Sequence, residues 1–295
     1  MMPDRDGYIA GVPCWVETSQ PAPEEVLPFY AGLFGWEFEN VMPVPGKYFV
    51  GRIRGGDVAG VASVPAGAPP IATWNTYIWV ESADETAEAA RKAGGAIVTV
   101  PFDVAGFGRM AVIADPEGAT FCLWEAKEHK GAKVVNEHGS LNFNVLATRD
   151  PDVAKDFYAA VFGWKALPSP AGMTWWALPG YGDHLEETRP GLRKQMGEMG
   201  APDGFIDVVA ALDVIADDGS TASANWGVTF TVDDADAIAA EAKRLGGEVV
   251  AEPSNAPWSR LTVIRDPQGA TFTATQFMPE NKDVVVVPRV AGTTG

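Results

Sequence analysis

The chain is poor in the groups that hold metals and staple small folds. It has three histidines and two cysteines in 295 residues. Two cysteines, Cys14 and Cys122, are too few for a disulfide framework. Both lie in strand-like runs, where a free thiol reads as buried packing or pocket lining. Positive charge is also short, with 22 Lys and Arg against 39 Asp and Glu and a formal net charge of -17. Phosphate binding needs a basic face, so nucleic acid is not an expected partner, and an anionic membrane is equally disfavoured. The acidity reads first as a device for solubility. No apolar run approaches the ~18 to 20 residues of a membrane span. The opening Met-Met-Pro-Asp-Arg-Asp lacks the basic and apolar regions of a signal peptide, so the expected location is the cytoplasm. There is no GxSxG elbow, no phosphate-cradling glycine loop opening a helix, and no cysteine–histidine signature.

What is present is a repeat. The run PFYAGLFGWEF at 28–38 returns as DFYAAVFGWKA at 156–166, and DPEGATF at 115–121 returns as DPQGATF at 266–272. Between them KAGG at 92–95 matches RLGG at 244–247. A unit this long is no solenoid repeat, and with 46% hydrophobic residues the chain has apolar surface for two packed cores. The expected organisation is therefore a first domain over 8–127, a linker over 128–139, a second domain over 140–280 and a tail over 281–295. Each domain is expected to have its own core.

Within the first half the pattern predicts a strand at 12–18, a helix at 22–33 and strands at 36–40, 47–53 and 58–64, the last two joined by an Arg-Gly-Gly-Asp turn. The same order follows with a strand at 73–81, a helix at 84–93 stopped by Gly94, and strands at 96–100, 109–114 and 120–125. Each half is thus a pair of βαβββ units. The second half carries an excess of about 24 residues near 180–204, expected between the third unit's sheet and the strand that starts near Trp226. A loop of that length serves as a lid or is simply mobile.

Paired βαβββ units with FYxxLFGW ending the first helix and DPEGxxF before the last strand resemble the vicinal oxygen chelate superfamily, the glyoxalase, bleomycin-resistance and extradiol dioxygenase fold. The resemblance covers nearly the whole chain, twice. The wording PCWVET and GFGRMAVIADPEGATFCLW, in tandem, is similar to actinobacterial glyoxalase-like proteins labelled hydroxylases or antigens. It implies an α+β fold of two tandem glyoxalase-like domains, each a pair of βαβββ modules forming a cup-shaped mixed sheet. One such fold hosts many functions.

Metal-using members of that superfamily hold a divalent ion through His or Gln on the first strand of each module and Glu on the last strand. Those positions correspond to Trp15, Asn75 and Cys122 in the first half and to Phe143, Gly227 and Thr273 in the second. None supplies an imidazole or a carboxylate, so neither a metal nor another cofactor is expected. A slip of one residue brings in Cys14, Val16, Asn142 or Asn144 and no histidine. Glu17 is the only strand carboxylate expected to face the first cup. His129, His138 and His184 lie in linker or loop, and Asp183-His184-Leu185-Glu186-Glu187 reads as a solvated charged loop.

The period of two along a strand puts Asn75, Tyr77 and Trp79 on one face, and Cys122 with Trp124. The second copy offers Phe143, Met173, Trp175 or Trp176, Thr229, Thr273 and the loop residue Trp258. Of these, Trp15, Asn75, Tyr77, Cys122, Trp124, Phe143, Trp176, Trp258 and Thr273 are the candidate ligand-binding residues, with packing against helices as the open alternative for each Trp. A cup lined this way, in a chain with ten Trp, suits a flat, largely apolar molecule. The expected function is metal-independent binding, as sequestration or custody, of an aromatic or polycyclic small molecule such as an antibiotic or polyketide-like metabolite, by a monomer or homodimer. The alternative is a metal-independent isomerase, cyclase or accessory hydroxylase component with Glu17, Tyr77 or Cys122 as acid or base. A third reading is an interaction protein with vestigial pockets.

Overall fold

The computed structural model describes residues 5–42, 47–169, 173–216 and 222–284. The proposed tail therefore lies outside the described residues from 285 onward. The first half runs β1 (Pro13–Gln20), α1 (Pro23–Phe34), β2 (Glu37–Asn40), β3 (Tyr48–Ile53) and β4 (Gly56–Ser63). It continues through β5 (Thr73–Trp79), α2 (Ala83–Lys92), β6 (Ala96–Val104), β7 (Gly108–Ala114) and β8 (Thr120–Ala126). The second half repeats the order with β9 (Leu141–Thr148), α3 (Pro151–Phe162), β10 (Lys165–Pro168), β11 (Thr174–Ala177) and β12 (Val208–Val214). It ends with β13 (Asn225–Thr231), α6 (Ala235–Arg244), β14 (Glu248–Ala256), β15 (Ser259–Arg265) and β16 (Thr271–Phe277).

Local chemistry fixes these boundaries. Both α1 and α3 begin on a proline, whose fixed φ and missing N–H suit the first turn. Both stop at a left-handed glycine, Gly35 and Gly163, each at φ 71. Helices α2 and α6 are capped by the side chains of Ser82 and Asp234 and carry acidic first and basic last turns.

Each half makes one eight-stranded sheet, in the order β2-β3-β4-β1-β5-β8-β7-β6 and β10-β11-β12-β9-β13-β16-β15-β14. Parallel pairs β1–β4 and β5–β8 close the modules, and the antiparallel pair β1–β5 joins them. The second sheet repeats this with β9–β12, β13–β16 and β9–β13. In each sheet one face packs on helices and the other forms a cup.

The excess residues lie inside the third module, between β11 and β12, and not after its sheet as the sequence suggested. They form α4 (Tyr181–Thr188), α5 (Leu192–Glu198) and a 3-10 turn at Phe205–Asp207. The first module joins the equivalent strands through Arg54 and Gly55 alone. A hairpin tip accepts such growth because loop closure costs little more as the loop lengthens, while both strands keep their register.

The cores are not one per half. Tyr30 and Phe34 of α1 pack against Phe230 and Phe272 of the second sheet, and the Tyr30 hydroxyl donates to Asp266 Oδ2 at 2.8 Å. Gln20 Nε2 donates to the same oxygen at 2.6 Å. Reciprocally, Tyr158 of α3 packs on Phe121 of the first sheet, and its hydroxyl donates to Asp115 Oδ2 at 3.2 Å. The diglycines serve this exchange. A Cβ on Gly247 would stand 2.7 Å from the Phe29 ring, and one on Gly95 would stand 2.8 Å from Phe157. Only glycine admits the ring of the opposite half so closely. The repeated words FY, GG and DPxG are thus the places where the halves lock together, which is why the expected pair of separate cores is replaced by two shared ones.

Candidate functional site

Alternation along each strand separates a helix-packed set from a cup-facing set. Phe121 and Leu123 of β8 join the core under α2 and α3, so Cys122 and Trp124 face the first cup. Phe272 and Ala274 of β16 join the other core, so Thr273 and Thr275 face the second.

The first cup is filled by its own side chains. Trp15, Tyr77, Cys122 and Trp124 are 2%, 5%, 4% and 5% exposed. At the centre is Glu17, 8% exposed, whose Oε2 accepts from the Tyr77 hydroxyl at 3.1 Å. The Tyr48 hydroxyl also bonds this carboxyl and accepts from Trp15 Nε1 at 3.0 Å. Burial pushes the Glu17 carboxyl up to about 7, against the two phenol hydrogen bonds, which pull it down. Burial likewise raises the Cys14 and Cys122 thiols, so both cysteines stay as thiols and neither is a ready nucleophile. Gly60 makes room for this cluster, because a Cβ there would lie 2.4 Å from the Tyr48 hydroxyl oxygen.

The segment read as a linker closes this cup. His129 sets its ring edge-on to Trp15 at 4.5 Å and to Trp124 at 5.7 Å, and its carbonyl accepts from Trp124 Nε1 at 3.0 Å. The Ala132 N–H donates to the Cys14 carbonyl. At Gly131, φ is 83 and a Cβ would meet that carbonyl at 2.5 Å. Burial lowers the His129 imidazole, which keeps it neutral among the aromatic rings.

The second cup is the less filled of the two. Register equates Trp15 with Phe143, Glu17 with Val145, Asn75 with Gly227, Tyr77 with Thr229, Trp79 with Thr231, Cys122 with Thr273 and Trp124 with Thr275. Three aromatic rings of the first cup are therefore threonines in the second. Phe143, Val145, Trp175, Leu261, Thr273 and Thr275 are each half-buried. The inserted segment borders this cup at two aromatic points. Phe205 packs edge-on to Trp175 at 4.9 Å, and a Cβ on Gly200 would lie 3.4 Å from the Trp258 ring. Trp258 itself sits in the turn between β14 and β15 at φ 60 and stacks on Phe277 at 6.4 Å and 9°. A left-handed Trp is strained by roughly 1–2 kcal/mol, and strain of that kind concentrates where a side chain must be presented. At the junction of the halves, a cavity of about 300 Å³ opens beside Gly227, Thr271 and Thr273, walled by Trp74, Trp226 and Phe272.

Of the residues named from sequence, Trp15, Glu17, Tyr77, Cys122 and Trp124 come together in the closed cup. Asn75 is engaged locally, donating to Ser19 Oγ at 3.0 Å. Phe143 and Thr273 line the open cup and Trp258 stands on its rim. Trp176 does not face the cup. It is 0% exposed and packs between Tyr158, Trp164 and Trp226 at 4.9, 5.3 and 6.0 Å, and its neighbour Trp175 takes the cup-facing place. Sequence reasoning missed Tyr48, His129, Phe205, Phe277 and Thr275. The last two follow Thr273 at a period of two and were within reach of the pattern.

The positions that would carry a divalent ion do not fit one. Indole, amide and buried thiol in one cup, and phenyl, glycine and threonine in the other, are poor ligands for a hard or borderline cation. Among the described residues no group of three or more His, Cys, Asp and Glu converges. Among them, too, no helix is long and apolar enough to cross a membrane.

Comparison with known proteins matches this architecture. The profile of the Glyoxalase/Bleomycin resistance protein/Dioxygenase superfamily covers residues 140–273, and that of a glyoxalase-like domain covers 15–124. CFP32 of Mycobacterium tuberculosis, whose name assigns it provisionally to the glyoxylases, is 36% identical over 95% of this chain and 100% of its own. The anthracycline biosynthesis protein DnrV of Streptomyces peucetius is 31% identical over 92% of this chain and 94% of its own. Among solved structures, the Mn(II)-bound glyoxalase of Novosphingobium aromaticivorans superposes with a TM-score of 0.57 at 16% identity, over 91% of this chain and 83% of its own. The 2,2',3-trihydroxybiphenyl 1,2-dioxygenase of Sphingomonas wittichii does so at 0.56 and 14%, over 91% of each chain. At such identities the structures speak to fold alone. The chain belongs to the glyoxalase/bleomycin resistance protein/dioxygenase superfamily.

Proposed function

We propose that this protein binds a flat aromatic small molecule, of the kind met in polyketide metabolism, in its second cup and without a metal. The observation that carries this reading is the contrast in filling. One cup is packed shut by its own rings, while its structural twin presents half-buried Phe143, Trp175 and Leu261 beside small threonines. Phe143 and Trp175 supply aromatic walls, and the Trp258–Phe277 stack supplies a platform at the rim. The relative named for anthracycline biosynthesis supports a polyketide-related role. Custody or sequestration of such a molecule needs burial and stacking rather than bond making. A micromolar affinity corresponds to about 8 kcal/mol, and aromatic pairing adds only about 0.5–1.5 kcal/mol beyond area burial, so most of the affinity must come from covering the ligand's faces.

The test is titration of 1,8-dihydroxyanthraquinone followed by equilibrium dialysis, with and without EDTA. The expected result is micromolar binding indifferent to EDTA and weakened at least tenfold by Trp175→Ala at unchanged melting temperature. Binding that needs an added divalent ion, or that ignores Trp175, contradicts the reading.

A metal-free enzyme is the second reading, favoured by Glu17. Its carboxyl near neutrality, hydrogen-bonded to Tyr77, is suited to acid–base work, yet it lies in the closed cup. A turnover lost in Glu17→Gln with ligand affinity retained would support this reading.

A further inference from the structure

The floor of the second cup carries a pattern beyond its aromatic walls. Thr229 and Thr231 of β13 lie opposite Thr273 and Thr275 of β16 in parallel register. All four face the cup, since the alternating residues Phe230, Phe272 and Ala274 belong to the core behind. Strand geometry spaces their hydroxyls by ~4.8 Å across the pair and ~6.6 Å along each strand. Thr229 is 8% exposed, and Thr231 Oγ1 is buried with no hydrogen-bond partner among the described residues. A buried hydroxyl without a partner is costly to keep, whereas valine of the same shape would cost nothing. The matching positions of the first cup, Tyr77, Trp79, Cys122 and Trp124, show no such quartet. The neighbouring floor residues Phe143, Val145, Gly227 and Leu261 are uncharged, so neither ionic attraction nor a metal sets the chemistry here.

We propose that the second cup selects planar, multiply oxygenated ring systems, hydroxyquinones or polyphenols, through the hydroxyls of Thr229, Thr231, Thr273 and Thr275. A threonine hydroxyl both donates and accepts, so the quartet matches ring carbonyls and ring hydroxyls alike, and ring oxygens on opposite edges of a bicyclic quinone are separated on the scale of the quartet. A ligand oxygen completes the bond that Thr231 lacks once the buried hydroxyl turns toward the cup. This proposal rests on the reading that the second cup is a ligand site, and its test separates the two.

The probes are 5,8-dihydroxy-1,4-naphthoquinone and naphthalene, which share a carbon skeleton and differ in oxygen, measured by equilibrium dialysis against the full chain. The quinone is expected to bind at least tenfold tighter than naphthalene. Thr231→Val and Thr275→Val should each weaken the quinone roughly 3- to 10-fold, the range of one neutral hydrogen bond, and leave naphthalene unchanged. Thr231→Val should also keep or raise the melting temperature of the free protein, because it removes an unpartnered buried hydroxyl. A structural threonine would instead lose stability and keep affinity. Equal binding of both probes, or full quinone affinity in the Thr231→Val/Thr275→Val double variant, overturns the selection by oxygen while a Trp175→Ala loss still upholds the cup. Binding of neither probe overturns both.

Discussion

The two cups share one backbone and differ in what fills them. In the first, Tyr77, Trp79 and Trp124 occupy positions that Thr229, Thr231 and Thr275 hold in the second, and the segment around His129 seals what the rings leave. In the second, the same positions are small and the module's hairpin has grown a segment whose Phe205 and Gly200 lie against Trp175 and Trp258. Duplication supplied two concave sheets, and side-chain volume decides which of them has room. Both sheets alike hold the first helix of the other half through a convex face and an Asp-Pro turn, so the cups differ in filling and not in how they are locked.

The two cups differ most at their tryptophans. Trp176→Ala is expected to cost about 3–5 kcal/mol, as for a fully buried aromatic, with ligand affinity in the folded fraction intact. Trp175→Ala should do the reverse. Denaturant unfolding beside dialysis distinguishes them, and an affinity loss confined to Trp176 would move the site to the wrong face of β11. Trp124→Ala should cost a similar amount and hollow the first cup, so that indole restores part of the lost stability, as small aromatics do in apolar cavities. No thermal gain with indole would mean that the linker collapses into the space.

Glu17 also sets the two cups apart in their response to pH. Its carboxyl binds a proton more tightly in the fold, near pH 7, than the ordinary 4.5 of an exposed glutamate. The stabilisation is therefore full below about pH 4.5 and lost as pH rises to about 7, a change of about 3 kcal/mol. Glu17→Gln should flatten this part of the stability profile and gain on the native protein above pH 7. A profile with unchanged slope would place the titration elsewhere. The second cup, with Val145 at this position, adds no such slope.

Asp266→Asn probes the lock between halves. Asp266 accepts from Tyr30 and Gln20 across the junction and from the N–H groups of Gln268, Gly269 and Ala270 in its own turn. A loss of about 1–3 kcal/mol is expected from leaving such donors poorly matched, read as a lower denaturant midpoint. The smallest effect belongs to Trp258→Gly, which relieves a left-handed residue and removes the rim platform. Melting temperature should hold within a few degrees while affinity falls.

Much of the fold was legible because each module carries its own punctuation. Glycine stops, Asp-Pro turns and the period of two place nearly every strand, and the family resemblance follows from their order. The face of Trp175 and Trp176 was not legible. Two tryptophans stand side by side in a four-residue strand with a register irregularity at Trp176/Ala177, so alternation had no anchor. His129 was hidden for another reason, since only tertiary closure turns a charged linker into a lid on Trp15. The shared cores escaped a local reading as well, although FY, GG and DPxG were the most faithful part of the repeat. Their fidelity reflects contacts such as Phe29 on Gly247 and Phe157 on Gly95, which tie a helix of one half to a turn of the other.

Ligand entry into the open cup alone is read out by 19F NMR of protein labelled with 5-fluorotryptophan, titrated with 1,8-dihydroxyanthraquinone and assigned by single Trp→Phe substitutions. With ten tryptophans in the chain, the account predicts that the Trp175 and Trp258 resonances shift, saturating at one ligand per chain, while Trp15 and Trp124 stay fixed. Shifts at Trp15 and Trp124, or saturation at two per chain, would contradict it.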